Sequence, residues 1–409
     1  MSEQALDARG TLVSRDVRRR NLSIVATALA ERGPLSRSEI AAATGLTAGA
    51  VTLLISSLLD AGVIAESAEA EPTRRGRPKT RLSLSADHLA LLVVQLDADT
   101  ATALLASLAG ETLARASRHH GRPLGNPDAV LDVLATVTNE ALDEAARLGR
   151  SIVDVTVIAF APVGGEPAIV LADTDLLWGP VDLVAGLRSR AARLPEARLV
   201  GDTTAAAREE LAAHPGVRDL VYLKSNSGIG GALVVDGTVV VGSHGYAGAL
   251  GHVAIDHDGE PCVCGQRGCL VTVAGPDLLL ERAGLQHLLA EQGLTAALTE
   301  FVARLKAGES DASVAWMDAV PWIARTLRIV TMSFDPEVVV IGGFWADPQL
   351  AGAIADAFAD GDLLMGGSSV LPPVVPSGLG DDAAILGALR DARERLLEDP
   401  LSLQAVAQH

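Results

Sequence analysis

Gly251-His252, followed by Cys262-Val263-Cys264-Gly265-Gln266-Arg267-Gly268-Cys269, is the stretch on which the reading turns. One histidine and three thiols offer four nitrogen and sulfur ligands. That set suits a closed tetrahedral zinc site, so His252, Cys262, Cys264 and Cys269 are the candidate ligands of a structural Zn2+. Gly265 and Gly268 let the loop fold back, and no further residue suggests an open catalytic position. All three cysteines of the 409-residue chain lie in this loop, which excludes a disulfide framework. The plainer alternative, three buried thiols that merely adjoin, leaves that concentration in one loop unexplained.

Outward from the cluster, hydrophobic residues make up 49% of the chain and charged ones 21%, a globular composition. No apolar run reaches the roughly 18 residues of a membrane span. The opening MSEQALDARG lacks the apolar core of a signal peptide, so the expected location is cytoplasmic. Net charge is −18, but residues 1–81 carry +3 and the remainder −21. A basic head on an acidic body fits a DNA-binding domain attached to a sensor or oligomerisation domain. The body would repel phosphates and confine any DNA contact to the head.

The head reads as three helices. Leu22, Val25, Ala26 and Leu29 space a helix over 21–33, stopped by Gly33-Pro34. Ser36-Arg37-Ser38-Glu39 is a capping box that opens a short second helix, ending near Thr44-Gly45-Leu46. Thr47 caps a third helix whose apolar face is Val51, Leu54, Ile55 and Leu58 and which ends at Gly62. Two helices about a glycine turn make a helix-turn-helix, and the third helix is its recognition helix. Val63-Ile64 and Arg81-Leu82-Ser83-Leu84 read as strands flanking a wing with Arg74, Arg75, Gly76, Arg77 and Lys79 at its tip. Arginines on a stiff Gly/Pro turn suit a narrow minor groove, and a solvated interdomain linker is the alternative. The candidate DNA-facing residues are Ser36, Arg37, Thr47, Ala48, Gly49, Ala50 and Thr52, together with the wing cations. The outer face of the third helix carries no Arg, Asn or Gln for a bidentate base contact, so Thr52, thymine methyl contacts and the wing would have to supply specificity.

The body holds three glycine-rich features that let a backbone approach a phosphate or sugar. They are Ser225-Asn226-Ser227-Gly228-Ile229-Gly230-Gly231, Gly342-Gly343 after a buried strand, and Gly245–Gly251 before the cysteine cluster. Together with that cluster they make the chain resemble the ROK family of sugar kinases and sugar-responsive repressors. The Gly-His and Cys-x-Cys-Gly-x-x-Gly-Cys signature of the family stands complete. The head resembles that of the family's repressors from Arg19-Arg20-Asn21-Leu22 to Gly76-Arg77-Pro78, and Leu177-Trp178-Gly179 resembles a further family segment. The resemblance implies an α/β protein: a winged helix-turn-helix over 1–85, then a two-lobed actin-like, hexokinase-like ROK domain over 86–409. Lobe 1 would span about 86–200 plus a returning helix at about 383–398, and lobe 2 about 201–382.

The departures from the family pattern bear on function. Where the family's first phosphate loop reads Asp-x-Gly-Gly-Thr, this chain has Asp97-Ala98-Asp99-Thr100-Ala101. Both glycines are gone, and Asp99 is expected to repel a triphosphate, by about 4 kcal/mol for two unit charges about 4 Å apart at an effective dielectric near 20. Asn226 replaces a glycine of the second loop. Asp202 matches the catalytic base, but its neighbour is Gly201 rather than Asn. The family's sugar-binding glutamates are Ala249 and Val271 here. Gly201, Asp202, Ala249, His252 and Val271 are therefore the candidate effector site, with Asp202 a vestigial base, no working catalytic residue, and ordinary hexose binding weakened. Trp178, Trp316, Trp322 and Trp345 are expected in cores or interfaces, and His119, His120 and His257 on the surface.

These readings describe a DNA-binding transcriptional regulator, a repressor by analogy with the family, whose body no longer phosphorylates sugars. Its partners would be a double-stranded DNA operator, a small-molecule effector and a second copy of itself. The rivals are a sugar kinase fused to a DNA-binding head, and an interaction protein with both sites silent.

Overall fold

The computed structural model describes residues 3–68, 80–84, 88–360, 364–365, 368–369 and 371–402. The head consists of α1 (Glu3–Arg32), α2 (Arg37–Thr44), α3 (Ala48–Asp60), β1 (Ile64–Ala68) and β2 (Thr80–Leu84). α1 is longer than the apolar spacing of 21–33 indicated. The capping box forms: Glu39 accepts from the Ser36 backbone at 2.8 Å, and Ser36 Oγ accepts from the Glu39 backbone at 3.4 Å. Gly45 closes α2 at φ +70°, and α3 leaves it through a bend of 113°, within the range of a helix-turn-helix. Val51, Leu54, Ile55 and Leu58 are buried on one side of α3, as their spacing requires. β1 and β2 pair antiparallel from Ile64↔Leu84 to Ala68↔Thr80, and Leu35 bridges to Leu82. The wing tip, Arg74, Arg75, Gly76, Arg77 and Lys79, and the expected boundary at 85/86 lie outside the described residues.

The body contains two five-stranded sheets of the same topology. The first runs through β3 (Leu89–Leu96), β4 (Thr100–Ala106), β5 (Thr112–His119), α4 (Pro127–Arg147) and β6 (Ser151–Ala159). It continues through the small ladder β7 (Val163–Gly164) and β8 (Ile169–Val170), α5 (Leu183–Arg190) and β9 (Ala197–Gly201). After α6 (Asp202–Ala213), the second half follows with β10 (Leu220–Ser225), β11 (Ile229–Val235), β12 (Thr238–Val240) and the helices α7 (Val271–Ala274), α8 (Pro276–Arg282), α9 (Gln286–Gln292), α10 (Leu294–Lys306) and α11 (Ser310–Phe334). It closes with β13 (Val338–Gly343), α12 (Pro348–Ala359), the two-residue pair β14 (Leu364–Met365) and β15 (Ser368–Ser369), β16 (Val374–Pro376) and α13 (Ala383–Glu398). The strand orders are β5-β4-β3-β6-β9 and β12-β11-β10-β13-β16. In each, an antiparallel meander of three strands is extended by two parallel strands. β3 and β10 are the central strands, and their near-continuous apolar runs reflect burial on both faces.

α13 returns from the end of the second half to pack on α6 and the first sheet. Gly387 permits its close crossing with α6, because a Cβ there would stand 1.8 Å from the Ala205 carbonyl oxygen. α1 of the head packs against α13 in turn. One apolar cluster therefore runs from Leu22, Val25 and Leu29 in the head to Ala384, Ala388 and Ala392 in α13. Trp178, Trp316 and Trp345 are buried, and Trp322 is partly buried against the helices of the second half, in line with structural roles. No single helix among the described residues is long and apolar enough to cross a membrane.

Candidate effector cleft and metal centre

The carboxyl ends of β3, β6 and β9 face the β10–β11 turn across a cleft of about 200 Å³. Ligands of open α/β sheets bind outside strand carboxyl ends. All five residues expected there, Gly201, Asp202, Ala249, His252 and Val271, line this one cleft. Asp202 opens α6 and accepts from the Thr203 backbone at 2.7 Å. Its other oxygen pairs with Lys224 Nζ from β10. Burial pulls the Lys224 ammonium down, but Asp202 and Asp97 outweigh it and hold it above the ordinary lysine range. Asp97 ends β3 beside this pair; burial pushes its carboxyl up, and Lys224 opposes the shift. Nothing in the motifs marked Lys224, which is a lone cation in an apolar strand until the two halves pack.

Asp99 requires a correction. Its carboxylate does not face the cleft but is 2% exposed and caps α10 from across the two halves. It accepts from the Leu294 backbone at 2.9 Å, the Thr295 backbone at 3.2 Å and the Thr295 hydroxyl at 3.0 Å. It therefore cannot repel a phosphate as a free charge in the cleft, although the loop still lacks its glycines. His120 also differs from expectation. It is half-buried, and its ring contacts the Asp97 carbonyl at 3.0 Å and the Arg122 backbone at 3.2 Å.

The loop after β8 adds two carboxylates that no motif announced. Asp173 is 3% exposed, and its Oδ1 accepts from the Asp175 backbone at 2.9 Å and the Leu176 backbone at 2.8 Å. Its Oδ2 is itself buried and has no hydrogen-bond partner among the described residues, and burial pushes the carboxyl up to about 6. Burial raises Asp175 as well, while a Ser227 hydrogen bond from the opposite half opposes the rise.

The four metal-ligand candidates come together. Their ligand atoms all lie within 4.8 Å of one another, with His252 Nδ1 to Cys262 Sγ at 3.6 Å and Cys264 Sγ to Cys269 Sγ at 3.6 Å. In a tetrahedron with zinc–sulfur bonds of about 2.3 Å, sulfurs stand about 3.8 Å apart, so the donor set fits zinc. The loop reaches this shape through Cys262 N–H to Gln266 O at 2.8 Å and Ile255 N–H to Gly268 O at 2.8 Å. Gly268 sits so close to Asp256 that a Cβ would stand 1.7 Å from its carbonyl oxygen. Burial holds His252 below its ordinary value, which favours the neutral ring that a metal needs.

In the head, Ala48, Gly49, Thr52 and Leu53 are exposed on α3, while Ala50 is half-buried. Thr47 caps the helix by accepting from the Ala50 backbone at 3.3 Å. The Thr52 hydroxyl donates to the Ala48 carbonyl at 2.8 Å, leaving its lone pairs and methyl facing outward. Ser36 is buried within its capping box. Arg37 pairs with Glu66 at 2.8 Å. Exposed Arg18, Arg19 and Arg20 on α1 add cations that the expected set omitted, and Arg18 reaches Ser57 of α3 at 3.0 Å.

Residues 92–395 match the model of the ROK family. The chain belongs to the ROK family. Its ROK relatives include both regulators and kinases. The DNA-binding transcriptional dual regulator NagC of Escherichia coli K12 is 24% identical over 80% of this chain and 81% of its own length. The kanosamine kinase of Amycolatopsis mediterranei is 29% identical over 63% of this chain and 82% of its own. Among solved structures, a ROK family transcriptional regulator described as a homologue of the E. coli MLC protein superposes with a TM-score of 0.72 at 24% identity, covering 96% of this chain and all of its own. A ROK glucokinase from Streptomyces griseus, in complex with glucose and AMPPNP, gives 0.60 at 21% identity over 75% of this chain and 99% of its own. Both likenesses establish the two-lobed ROK fold.

Proposed function

We propose that this ROK protein is a DNA-binding transcriptional repressor, acting in the cytoplasm as a dimer, with a zinc-braced body that no longer phosphorylates sugars. The observation that carries the reading is coverage. The regulator's fold extends over 96% of the chain, head included, whereas the glucokinase's extends over 75%. The head supplies a helix-turn-helix, an exposed α3 face and a hairpin leading into the basic run Arg74–Lys79. These support base-edge contact by α3 and backbone or minor-groove contact by the wing.

Loss of kinase activity rests on geometry in the cleft. A general base must be free to take a proton from the attacking hydroxyl. Asp202 is instead engaged by the buried Lys224 ammonium, and the loop after Asp97 has no glycine to admit a phosphate. Zinc, when bound by His252, Cys262, Cys264 and Cys269, would supply structure by closing the 252–269 loop against the cleft. Gly201, Asp202, Ala249, His252 and Val271 would line the effector's place, with too few polar contacts for an ordinary hexose.

A gel shift with the DNA upstream of the protein's own coding region tests the reading; retardation is expected at nanomolar to sub-micromolar protein. Absence of any shift, with folded protein, would leave the silent interaction protein as the better account. Incubation with ATP, magnesium and hexoses should give no sugar phosphate. A hexose-dependent rate on the order of 1 s⁻¹ would restore the kinase.

A further inference from the structure

We infer that the turn between β3 and β4 is a latch. It carries the Asp99 carboxylate from the first half into the N-terminus of α10 in the second, and so holds the two halves together by the chain's own contacts, independently of any ligand. None of its residues belongs to the head or to the five expected cleft residues, so it does not depend on the repressor reading.

The first observation is the set of bonds at α10. The Leu294 and Thr295 backbone N–H groups donate to Asp99 Oδ2 at 2.9 and 3.2 Å, and the Thr295 hydroxyl donates to Oδ1 at 3.0 Å. Both carboxylate oxygens are thus used, at 2% exposure of the residue. A helix N-terminus favours a negative charge, and hydrogen bonds to an ionised acceptor are roughly twice as strong as neutral ones. The receiving side is shaped for the group. α10 opens on Gly293 at φ +89°, and a Cβ there would stand 2.7 Å from Asp99 Oδ2.

The second observation is what surrounds Asp99. Its neighbour Ala98 is 5% exposed and lies in the apolar cluster of the second half, with Leu294, Ala297 and Leu298, rather than in the clusters of its own sheet. On the first-half side the turn is held fast. The Asp97 N–H donates to the Thr100 carbonyl at 2.9 Å, and the His120 N–H to the Asp99 carbonyl at 2.9 Å. An apolar plug and a charged hook therefore cross the joint side by side. Farther along the same groove Arg122 meets Asp277 at 3.3 Å, a partly exposed pair that adds little. The change that takes a glycine out of the phosphate loop also supplies the anion of the latch. A ligand shifts an equilibrium only by its differential affinity for the two states. A molecule entering the cleft therefore meets it already closed, and a signal that needs opening must break the Asp99 bonds.

The test is small-angle X-ray scattering and amide hydrogen exchange on the full-length protein and three variants. Asp99→Ala should raise the radius of gyration and speed exchange at Leu294 and Thr295 about tenfold or more, the scale of one charge-assisted bond. Exchange should also rise on both sides of the joint, in the turn 97–100 and along 275–293. Asp99→Asn keeps an acceptor for both backbone N–H groups but loses the charge. It should show the same changes in smaller degree, and it carries the test if the alanine variant fails to fold. Asp347→Ala is the control, because Asp347 caps α12 from within the second half, accepting from the Gln349 backbone at 3.0 Å. It should lower stability and leave the radius of gyration unchanged. The latch is overturned if the Asp99 variants scatter as the wild type does, with exchange raised at α10 alone, which reduces Asp99 to a helix cap. It is overturned equally if Asp347→Ala expands the protein as much as Asp99→Ala.

Discussion

Asp173 keeps a carboxylate where burial outweighs the help it gets from Arg122 and from two backbone N–H groups, and the cost appears as pH dependence. Its pKa is about 6 in the fold against 3.8 unfolded. Between those values the folded state holds more protons than the unfolded one, so stability falls as pH rises through this window and is then flat. A rise of about two units corresponds to about 3 kcal/mol. Asp173→Asn should thus stabilise the unliganded protein at pH 8 by on the order of 1 kcal/mol, the buried amide of Asn offsetting the remainder. The gain should vanish near pH 4, as read by urea unfolding at the two pH values. Lys224→Met should act in the opposite direction. It strands Asp202 and Asp97 without a counter-charge, an error that costs about 3–5 kcal/mol in buried pairs, and adding Asp202→Asn should recover part of the loss. That His252 and the three cysteines would cluster, and that the five residues would line one cleft, was legible in the sequence because each sits in a motif with fixed spacing. Lys224 and Asp173 were not, because each is a single charged residue whose meaning depends on what packs opposite it.

Among the elements, the head combines a well-marked helix-turn-helix with an exposed α3 face that the sequence only half reveals. Capping box, Gly45 turn and apolar face were readable because they are local. The length of α1 was not, since its first half shows no apolar stripe of the kind that Leu22 to Leu29 provide. The role of Asp99 was hidden for the same kind of reason: the helix it caps lies almost two hundred positions away. Asp99→Ala should destabilise the protein by about 1 kcal/mol, typical of a lost cap, without creating kinase activity. Changing Arg75 and Arg77 together to Ala should weaken binding to operator and random DNA alike. It should also lower the slope of log K against log salt by about 0.9 per lost phosphate contact. An unchanged slope and affinity would make the basic run a linker. Thr52→Ala should instead narrow the gap between operator and random DNA, through the outward methyl and lone pairs that its bond to Ala48 leaves available.

At the scale of the whole molecule, the duplicated sheet order is the feature least visible beforehand. The two halves share topology without a repeat that the eye finds in the sequence, because burial fixes only the apolar character of β3 and β10. The loop 252–269 joins the scales, since His252 belongs both to the candidate metal cluster and to the cleft wall. Cys264→Ser should release metal, lower the thermal midpoint and loosen the cleft; well under one zinc per purified chain of the wild type would remove the metal from the account. The protein should sediment as a dimer at micromolar concentration and bind paired half-sites about one helical turn, or a multiple of it, apart.

α1 stands near the start of the described chain and α13 near its end, yet they pack together, and α13 also crosses α6 at Gly387. During synthesis, then, the head is made well before its seat. Until α13 has left the ribosome, the three head helices have only their own small core, and α6 lacks the partner that Gly387 was shaped to admit. The orientation of the head relative to the cleft is therefore set only once α13 has been made. A chain stopped before Ala383 would carry the helix-turn-helix and the cleft residues without the helix that couples them.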